Sequence, residues 1–308
     1  MLVIEASDLL KRFGKVQALS GLNLHLNEGV IGLVGPNGSG KTTTIGILLG
    51  LLRPDRGKAG VLGFDCWRES FEVRKRVGVL HEKPVYPGGF TGRRYLEHVA
   101  EFYGIENSEE KVSSLLIDVG LSEAADRNIG TYSAGMVQRI GLAQALIGEP
   151  ELVILDEPTA NLDPIGRVEF LERIKKLHRE QGMSFLISTH ILTELETVCD
   201  QVAIINQGVV KEQGKIEKLV KKHPATEYVA IVSDPELLGG EIKKASFAKH
   251  VRTETGGKVI VETDDQQRFQ DEVVRIVRKR NLQLVAMGPQ YGVLGAVYRK
   301  VMEEKENA

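Results

Sequence analysis

The stretch Gly35-Pro36-Asn37-Gly38-Ser39-Gly40-Lys41-Thr42 matches the pattern G-x-x-x-x-G-K-[ST] in full. It follows the apolar run Val30–Val34, and residues 42–52 after it have a helical pattern. Glycines here let successive backbone N–H groups turn toward phosphate oxygens, and the start of a helix adds partial positive charge. The stretch therefore predicts a strand, a phosphate-binding loop and a helix.

Each residue type in this loop has an expected task. Lys41 reaches the β- and γ-phosphates, and the Thr42 hydroxyl ligates Mg²⁺. The remaining residues expected to line the phosphates are Gly35, Pro36, Asn37, Gly38, Ser39, Gly40 and Thr43. Because kinases, GTPases and motors share this loop, it indicates only a nucleoside triphosphate with Mg²⁺.

Composition limits the class of protein. The 308 residues include 42% hydrophobic and 27% charged residues with a formal net charge of −2, which excludes a disordered chain and nucleic-acid binding driven by bulk positive charge. Cys66 and Cys199 show no disulfide framework or metal spacing, so we expect a reducing compartment. No run approaches the roughly 20 apolar residues of a membrane helix, and the start lacks the features of a signal peptide.

Residues 1–222 are predicted to form an α/β domain. Short apolar strands, at 30–34, 77–80, 152–155, 185–188 and 202–206, alternate with helical segments, which favours a mostly parallel sheet. A helical subdomain at about 88–147 is expected between them, with helices capped by Thr91 and Ser108. A further helix opens at Pro164, with Ile165, Val168, Leu171, Ile174 and Leu177 on one face.

Residues 223–308 are predicted to form a second, α+β domain. The pattern gives strand, helix, two strands joined at Gly256-Gly257, helix and strand, followed by a last helix at about 292–304. The order βαββαβ is typical of a ferredoxin-like fold. The domain shows no catalytic motif, and the basic run 275–280 is interpreted as a solvated helix face.

A second nucleotide motif is the run Leu152-Val-Ile-Leu-Asp156-Glu157. An apolar strand that ends in two carboxylates is a Walker B pattern. Asp156 is expected to hold Mg²⁺, and Glu157 to orient and deprotonate an attacking water.

A third motif identifies the family. Tyr132-Ser133-Ala134-Gly135-Met136-Val137-Gln138-Arg139 resembles the LSGGQ signature of ABC ATPases, and it lies between the phosphate loop and the Walker B run as in that family. His190 matches the switch histidine, the run 160–163 matches the D-loop, and Phe13 lies where the family usually has an adenine-stacking aromatic. The resemblance covers about residues 2–220.

The resemblance implies a P-loop NTPase fold, with a RecA-like core and antiparallel β and helical subdomains. It implies that ATP and Mg²⁺ bind between two head-to-tail copies, gripped by the loop of one chain and by Ser133 and Gly135 of the other, with Asp163 and Phe13 also contacting nucleotide. The resemblance also implies that Lys41, Glu157 and His190 are the catalytic residues. A separate membrane-spanning permease is the expected partner, which places the chain in the cytoplasm on the inner face of the membrane.

Several of these residues also have structural explanations. Ser133 and Asp163 could act as helix N-caps, and Ser133 could combine both roles. His190 and Phe13 could be ordinary core residues.

Two departures from the family pattern bear on function. The signature has Ala134 in place of its first glycine and Met136 in place of its glutamine, and Glu82 stands where the family usually has the Q-loop glutamine. A carboxylate at 82 can still ligate Mg²⁺ or position water. Glu82 and the Y-S-x-G-M form of the signature resemble the branch of ABC ATPases that serves drug, sodium and antibiotic exporters.

Two other functions compete with an exporter ATPase. One is an importer ATPase whose C-terminal domain senses a ligand. The other is a non-transport ABC protein that acts on ribosomes or DNA, although this chain has one cassette and no long coiled-coil insertion.

Overall fold

The structure is a computed structural model that describes residues 2–303, and it divides after Lys215 into two units. The helix 216–222, which the sequence analysis placed in the first domain, therefore belongs to the second unit. No helix within the described residues is both long and apolar enough to cross a bilayer.

The first unit begins with an antiparallel sheet. Its strands pair in the order β2-β1-β4-β5, and their bounds are β1 Leu2–Phe13, β2 Val16–Asn27, β4 Arg56–Val61 and β5 Phe64–Asp65. Leu22, Leu24 and Leu26 alternate with polar residues along β2, and all three are buried. Buried side chains of the long strands β1 and β2 pack against those of the parallel sheet described next, and together they form one apolar core.

The parallel sheet positions the nucleotide motifs. Its order is β10-β9-β3-β8-β7-β6, with bounds β3 Val30–Val34, β6 Val77–Leu80, β7 Leu152–Asp156, β8 Ser184–Thr189, β9 Gln201–Asn206 and β10 Val209–Lys215. All neighbours pair in parallel except β9 and β10. Because β3, β7 and β8 are parallel neighbours, the phosphate loop, the Walker B carboxylates and His190 meet at one edge.

Seven α-helices complete the described part of the first unit. Their bounds are α1 Lys41–Leu48, α2 Ser70–Arg76, α3 Gly92–Phe102, α4 Ser108–Asp118, α5 Ala134–Leu146, α6 Pro164–Gln181 and α7 Leu192–Val198. The predicted cap at Thr91 is confirmed, since its hydroxyl accepts from the Arg94 N–H at 3.2 Å. The predicted cap at Ser108 is wrong, because Asn107 precedes the helix in the left-handed region at φ 58°.

Two helix predictions need further correction. Helix α1 ends at Leu48 rather than near residue 52, because Gly50 at φ +65° reverses the chain. In α6, Ile165 and Val168 are 74% and 63% exposed, while the buried face is Phe170, Leu171, Ile174 and Leu177. The first turn of α6 therefore keeps its apolar side chains out of this unit's core.

The second unit has the predicted ferredoxin-like fold. Its sheet order is β12-β13-β11-β14, fully antiparallel, and its elements are α8 Ile216–Lys222, β11 Glu227–Val232, α9 Pro235–Ile242, β12 His250–Glu254, β13 Lys258–Glu262, α10 Gln266–Arg280, β14 Leu284–Pro289 and α11 Gly292–Glu303. One sheet face packs on α9 and α10 around Tyr228, Phe269 and Val273. Within the basic run on α10, Arg275 forms an ion pair with Glu272, and Arg280 forms one with Glu241 of α9.

Candidate functional site

The phosphate loop excludes side chains where its backbone turns. A Cβ at Gly35 would lie 2.2 Å from the Ile205 carbonyl oxygen, and Gly40 has φ +109°. Ser39 Oγ is buried and has no hydrogen-bond partner among the described residues. A glycine cradle with an unsatisfied buried hydroxyl fits an anionic ligand rich in acceptor oxygens.

Lys41 lies buried at the start of α1. Its Nζ donates to the Gly35 carbonyl at 2.7 Å, so the ammonium closes the loop on itself. The same Nζ lies 3.4 Å from Glu157 Oε1. The charge is thus positioned between the loop and the carboxylate beyond β7, where it can pair with phosphate.

Thr42 and Asp156 supply oxygen ligands side by side. Thr42 Oγ1 donates to Asp156 Oδ2 at 3.4 Å, across the gap between α1 and β7. A hydroxyl and a carboxylate are hard ligands of the kind that Mg²⁺ uses next to phosphate and water. The chemistry of this donor pair therefore fits Mg²⁺.

Glu157 has an unusual backbone conformation, at φ 47°, directly after β7. Its N–H donates to the Ser188 carbonyl at 3.0 Å, which fixes the turn against β8. Its Oε2 lies 3.0 Å from His190 Nδ1, and its side chain is only 12% exposed. Strand end and turn together aim the carboxylate at the phosphate loop.

One oxygen of this carboxylate remains available. Glu157 Oε1 is buried without a hydrogen-bond partner among residues 2–303, although the Lys41 ammonium is near. A buried, unsatisfied carboxylate oxygen facing a phosphate site can accept a proton from water. His190 is 50% exposed at its side chain and borders the same opening, so it is not a core histidine.

The signature and D-loop residues start helices on an exposed surface. Ser133 is the N-cap of α5 and accepts from the Met136 N–H at 3.3 Å, while Asp163 caps α6 and accepts from the Gly166 N–H at 2.7 Å. Gly135 has no atom crowding its Cβ position closer than 3.9 Å. No contact joins Ser133, Gly135 or Asp163 to the phosphate loop within the described part of the chain.

Phe13 and Glu82 also stand apart from the loop. Phe13 ends β1 and is 47% exposed, with Lys11 Nζ 5.5 Å from the centre of its ring, so it is not a core residue. The Glu82 carboxylate lies 3.5 Å from Lys83 Nζ, and no described contact joins it to Thr42 or Asp156. Its proposed metal role stays a prediction.

Sequence reasoning missed Ser188. This fully buried hydroxyl donates to Asp156 Oδ1 and accepts from the Glu157 N–H at 3.2 Å. It therefore holds both Walker B residues from the neighbouring strand. Ser188 reaches these two residues only because β8 lies beside β7 in the sheet, and no local sequence motif identifies it.

A buried carboxylate, Glu194, was also missed. It accepts from Thr159 Oγ1 at 2.6 Å and lies 3.4 Å from Arg167 Nη1, while Arg167 Nε donates to the Leu162 carbonyl at 2.9 Å. Helix α7 after His190 is thereby tied to the segment that ends at Asp163.

We expect Ser188→Ala to lower ATP turnover by about tenfold, because a hydrogen bond to a carboxylate is worth roughly 1.5–3 kcal/mol. The KM for ATP should change little, since Lys41 and the loop are untouched. Steady-state kinetics check this, with Ser188→Thr restoring turnover. The matched control is Ser184→Ala, a buried serine on the same strand that serves the Gly29 N–H instead. Equal losses in both variants would contradict a positioning role.

Comparisons with known proteins agree with this geometry. A family model described as ABC transporter matches residues 19–160. The uncharacterized ABC transporter ATP-binding protein YxlF of Bacillus subtilis is 35% identical over 86% of this chain and 87% of its own. Nod factor export ATP-binding protein I of Burkholderia lata is 34% identical over 83% and 84%. A solved ATP-binding subunit of an ABC transporter, 29% identical, superposes with a TM-score of 0.64 over 71% of this chain and 92% of its own.

Proposed function

Because this chain belongs to the ABC transporter family of ATP-binding proteins, we propose that two copies of it hydrolyse ATP and thereby power export through a separate membrane-spanning subunit. The observation that carries the proposal is the Glu157 carboxylate, aimed at the phosphate loop between Lys41 and His190. A relative named for Nod factor export supports the direction.

The proposed site is shared between copies. One chain supplies the loop with Lys41 and Thr42, and Ser133 and Gly135 of the other copy face the γ-phosphate at the exposed start of α5. Phe13 stacks on the adenine, and Asp163 lies across the interface. The exposed first turn of α6, with Ile165 and Val168, is available for burial between the copies.

The proposed chemistry is hydrolysis by a water that this chain orients. Thr42 and Asp156 would hold Mg²⁺, which would neutralise negative charge on the phosphates. The Lys41 ammonium turns from the Gly35 carbonyl to a phosphate oxygen. The free Glu157 oxygen takes the proton of the attacking water, while His190 holds the other oxygen of that carboxylate in place. Removal of the γ-phosphate then takes away the bridge between the copies.

The membrane partner is proposed to dock on residues 80–104, and the chain would then lie on the cytoplasmic face of that membrane. The segment after β6 exposes an apolar side chain, since Val85 is 92% exposed. Gln138, at the start of α5, donates to the Glu82 carbonyl at 3.3 Å, so this segment contacts the signature helix directly. A movement of the segment after β6 can therefore be transmitted through α5 to Ser133.

Affinity purification tests the partner. The tagged chain, isolated from gently solubilised membranes of its host, should recover a polytopic membrane protein. Val85→Glu should lower that recovery at least about fivefold without changing ATP hydrolysis, because a charge would enter an apolar contact. Ile117→Glu on α4, which is 66% exposed, is the matched control. Recovery of ribosomes or DNA complexes without a membrane protein would contradict the proposal.

A further inference from the structure

A cavity of about 240 Å³ lies between α1, β4 and β5, away from the nucleotide residues. Four cationic side chains line it, Arg53, Arg56, Lys58 and Arg68, and we call this set the basic pocket. Arg56 and Lys58 are two residues apart on β4 and therefore point to the same side of the sheet. The pocket concentrates positive charge in a chain whose net charge is −2.

The carboxylates in the same lining are already used. Asp55 accepts from the Arg12 N–H at 2.7 Å and from Lys11 Nζ at 3.2 Å. Asp65 accepts from the backbone N–H groups of Trp67 and Arg68 at 3.0 and 2.8 Å. Within residues 2–303, no ion pair joins any cation of the basic pocket to a carboxylate, so their charge is open to an outside anion.

The segment 53–58 is held rigidly. Lys11 Nζ donates to the Arg53 carbonyl at 2.7 Å, and the Asp55 N–H donates to the Leu10 carbonyl at 2.9 Å. The Arg53 guanidinium lies 5.5 Å from the centre of the Trp67 ring. Hydrogen bonds to β1 thus fix the backbone at Arg53 and Asp55 before an anion binds, which lowers the entropy cost of binding.

An apolar rim borders the basic pocket, formed by Leu51, Trp67 and Phe71, which are 58%, 46% and 71% exposed. The chain segments that carry them lie close together, because a Cβ at Gly50 would lie 2.3 Å from the Cys66 carbonyl oxygen and 2.5 Å from Ser70 Cβ. Exposed tryptophan and phenylalanine beside several unpaired cations are the combination that binds the interface of an anionic bilayer.

We propose that the basic pocket binds the phosphate of an anionic phospholipid headgroup while the apolar rim enters the interfacial region of the bilayer. The lining of the basic pocket contains none of the residues assigned to the nucleotide site. It gives the chain a direct attachment to the membrane surface in one orientation.

Trp67 makes the test specific, because it is the single tryptophan of the sequence. The purified full chain is mixed with vesicles of phosphatidylcholine alone or with about 30 mol% phosphatidylglycerol, as a negatively charged surface. Only the anionic vesicles should shift Trp67 emission to shorter wavelength and carry the chain on flotation. Added salt should weaken this binding.

The decisive variant is Arg56→Glu with Lys58→Glu. Partition onto anionic vesicles should fall at least about tenfold, since each basic residue near such a surface contributes roughly a fivefold factor. ATP hydrolysis without vesicles should be unchanged, which shows that the variant folds. The matched control, Arg278→Glu with Lys279→Glu on α10, makes the same charge change at another exposed site and should lose less than about threefold.

Three outcomes would overturn the proposal. Equal binding to both vesicle types would show that the negative headgroup charge is not recognised. Equal losses of binding in both double variants would show that only the net charge of the chain matters, and not the basic pocket. If inorganic phosphate changes Trp67 emission through the basic pocket but no vesicle binds, the pocket serves free phosphate rather than lipid. None of these outcomes affects the proposed hydrolysis, which Arg56→Glu with Lys58→Glu leaves intact.

Discussion

Glu157→Gln is expected to bind ATP with unchanged affinity and to hydrolyse it at least about a hundredfold more slowly, since the amide cannot accept the proton of water. The amide has nearly the same shape as the carboxylate that lies between Lys41 and His190. Phosphate release with saturating ATP gives the turnover, and a fluorescent ATP analogue gives the affinity.

The control for this variant is Glu180→Gln. Glu180 is 57% exposed on α6 and lies 3.9 Å from Lys176, so its loss should leave turnover unchanged. Turnover in Glu157→Gln close to that of the unmodified chain would show that another group takes the proton.

Lys41→Ala is expected to weaken ATP binding at least about thirtyfold and to abolish hydrolysis, because loss of one partner in a buried charge pair costs roughly 2–5 kcal/mol. The Lys41 side chain is only 7% exposed, and its ammonium is the buried cation next to the loop carbonyl of Gly35. Titration with the same ATP analogue measures the loss.

Lys176→Ala removes an exposed lysine and serves as its control, because that side chain is 62% exposed. Retained ATP affinity in Lys41→Ala, with normal folding by circular dichroism, would contradict the assignment of the phosphate site.

The nucleotide edge of the sheet could be predicted from the sequence because its residues occupy the ends of strands. Asp156 and Glu157 follow one apolar run, and Lys41 and His190 follow two others. Once the strands are parallel, their carboxyl ends meet at one edge whatever their order. The ferredoxin-like fold of the second unit could also be predicted, since each of its helices and strands has a distinct hydrophobic periodicity and is bounded by turn residues.

The supporting contacts could not be predicted, because they depend on which strands are neighbours. Ser188 reaches Asp156 only because β8 pairs with β7. Glu194 reaches Thr159 and Arg167 through packing between α6 and α7. The exposure of Ile165 and Val168 could not be predicted from helical periodicity either, since the periodicity identifies an apolar face but not which part of that face is buried.

The charges of Lys41 and Glu157 offset each other in the structure. Lys41 Nζ donates to Gly35 and lies near Glu157, so the cation and the carboxylate neutralise each other without nucleotide. We expect a bound triphosphate to give Lys41 a stronger partner than the Glu157 carboxylate. We expect hydrolysis to follow only when a second copy completes the site with Ser133.

The mass of Glu157→Gln in solution, measured by light scattering with and without ATP and Mg²⁺, tests this sharing most directly. We predict a single copy without nucleotide and a pair with ATP. Adding Ser133→Glu should prevent pairing while ATP still binds, because a carboxylate on the opposite copy would face the negatively charged γ-phosphate and be repelled by it. A Glu157→Gln protein that stays single when saturated with ATP, or one that pairs equally well with Ser133→Glu, would contradict a site completed by a second copy.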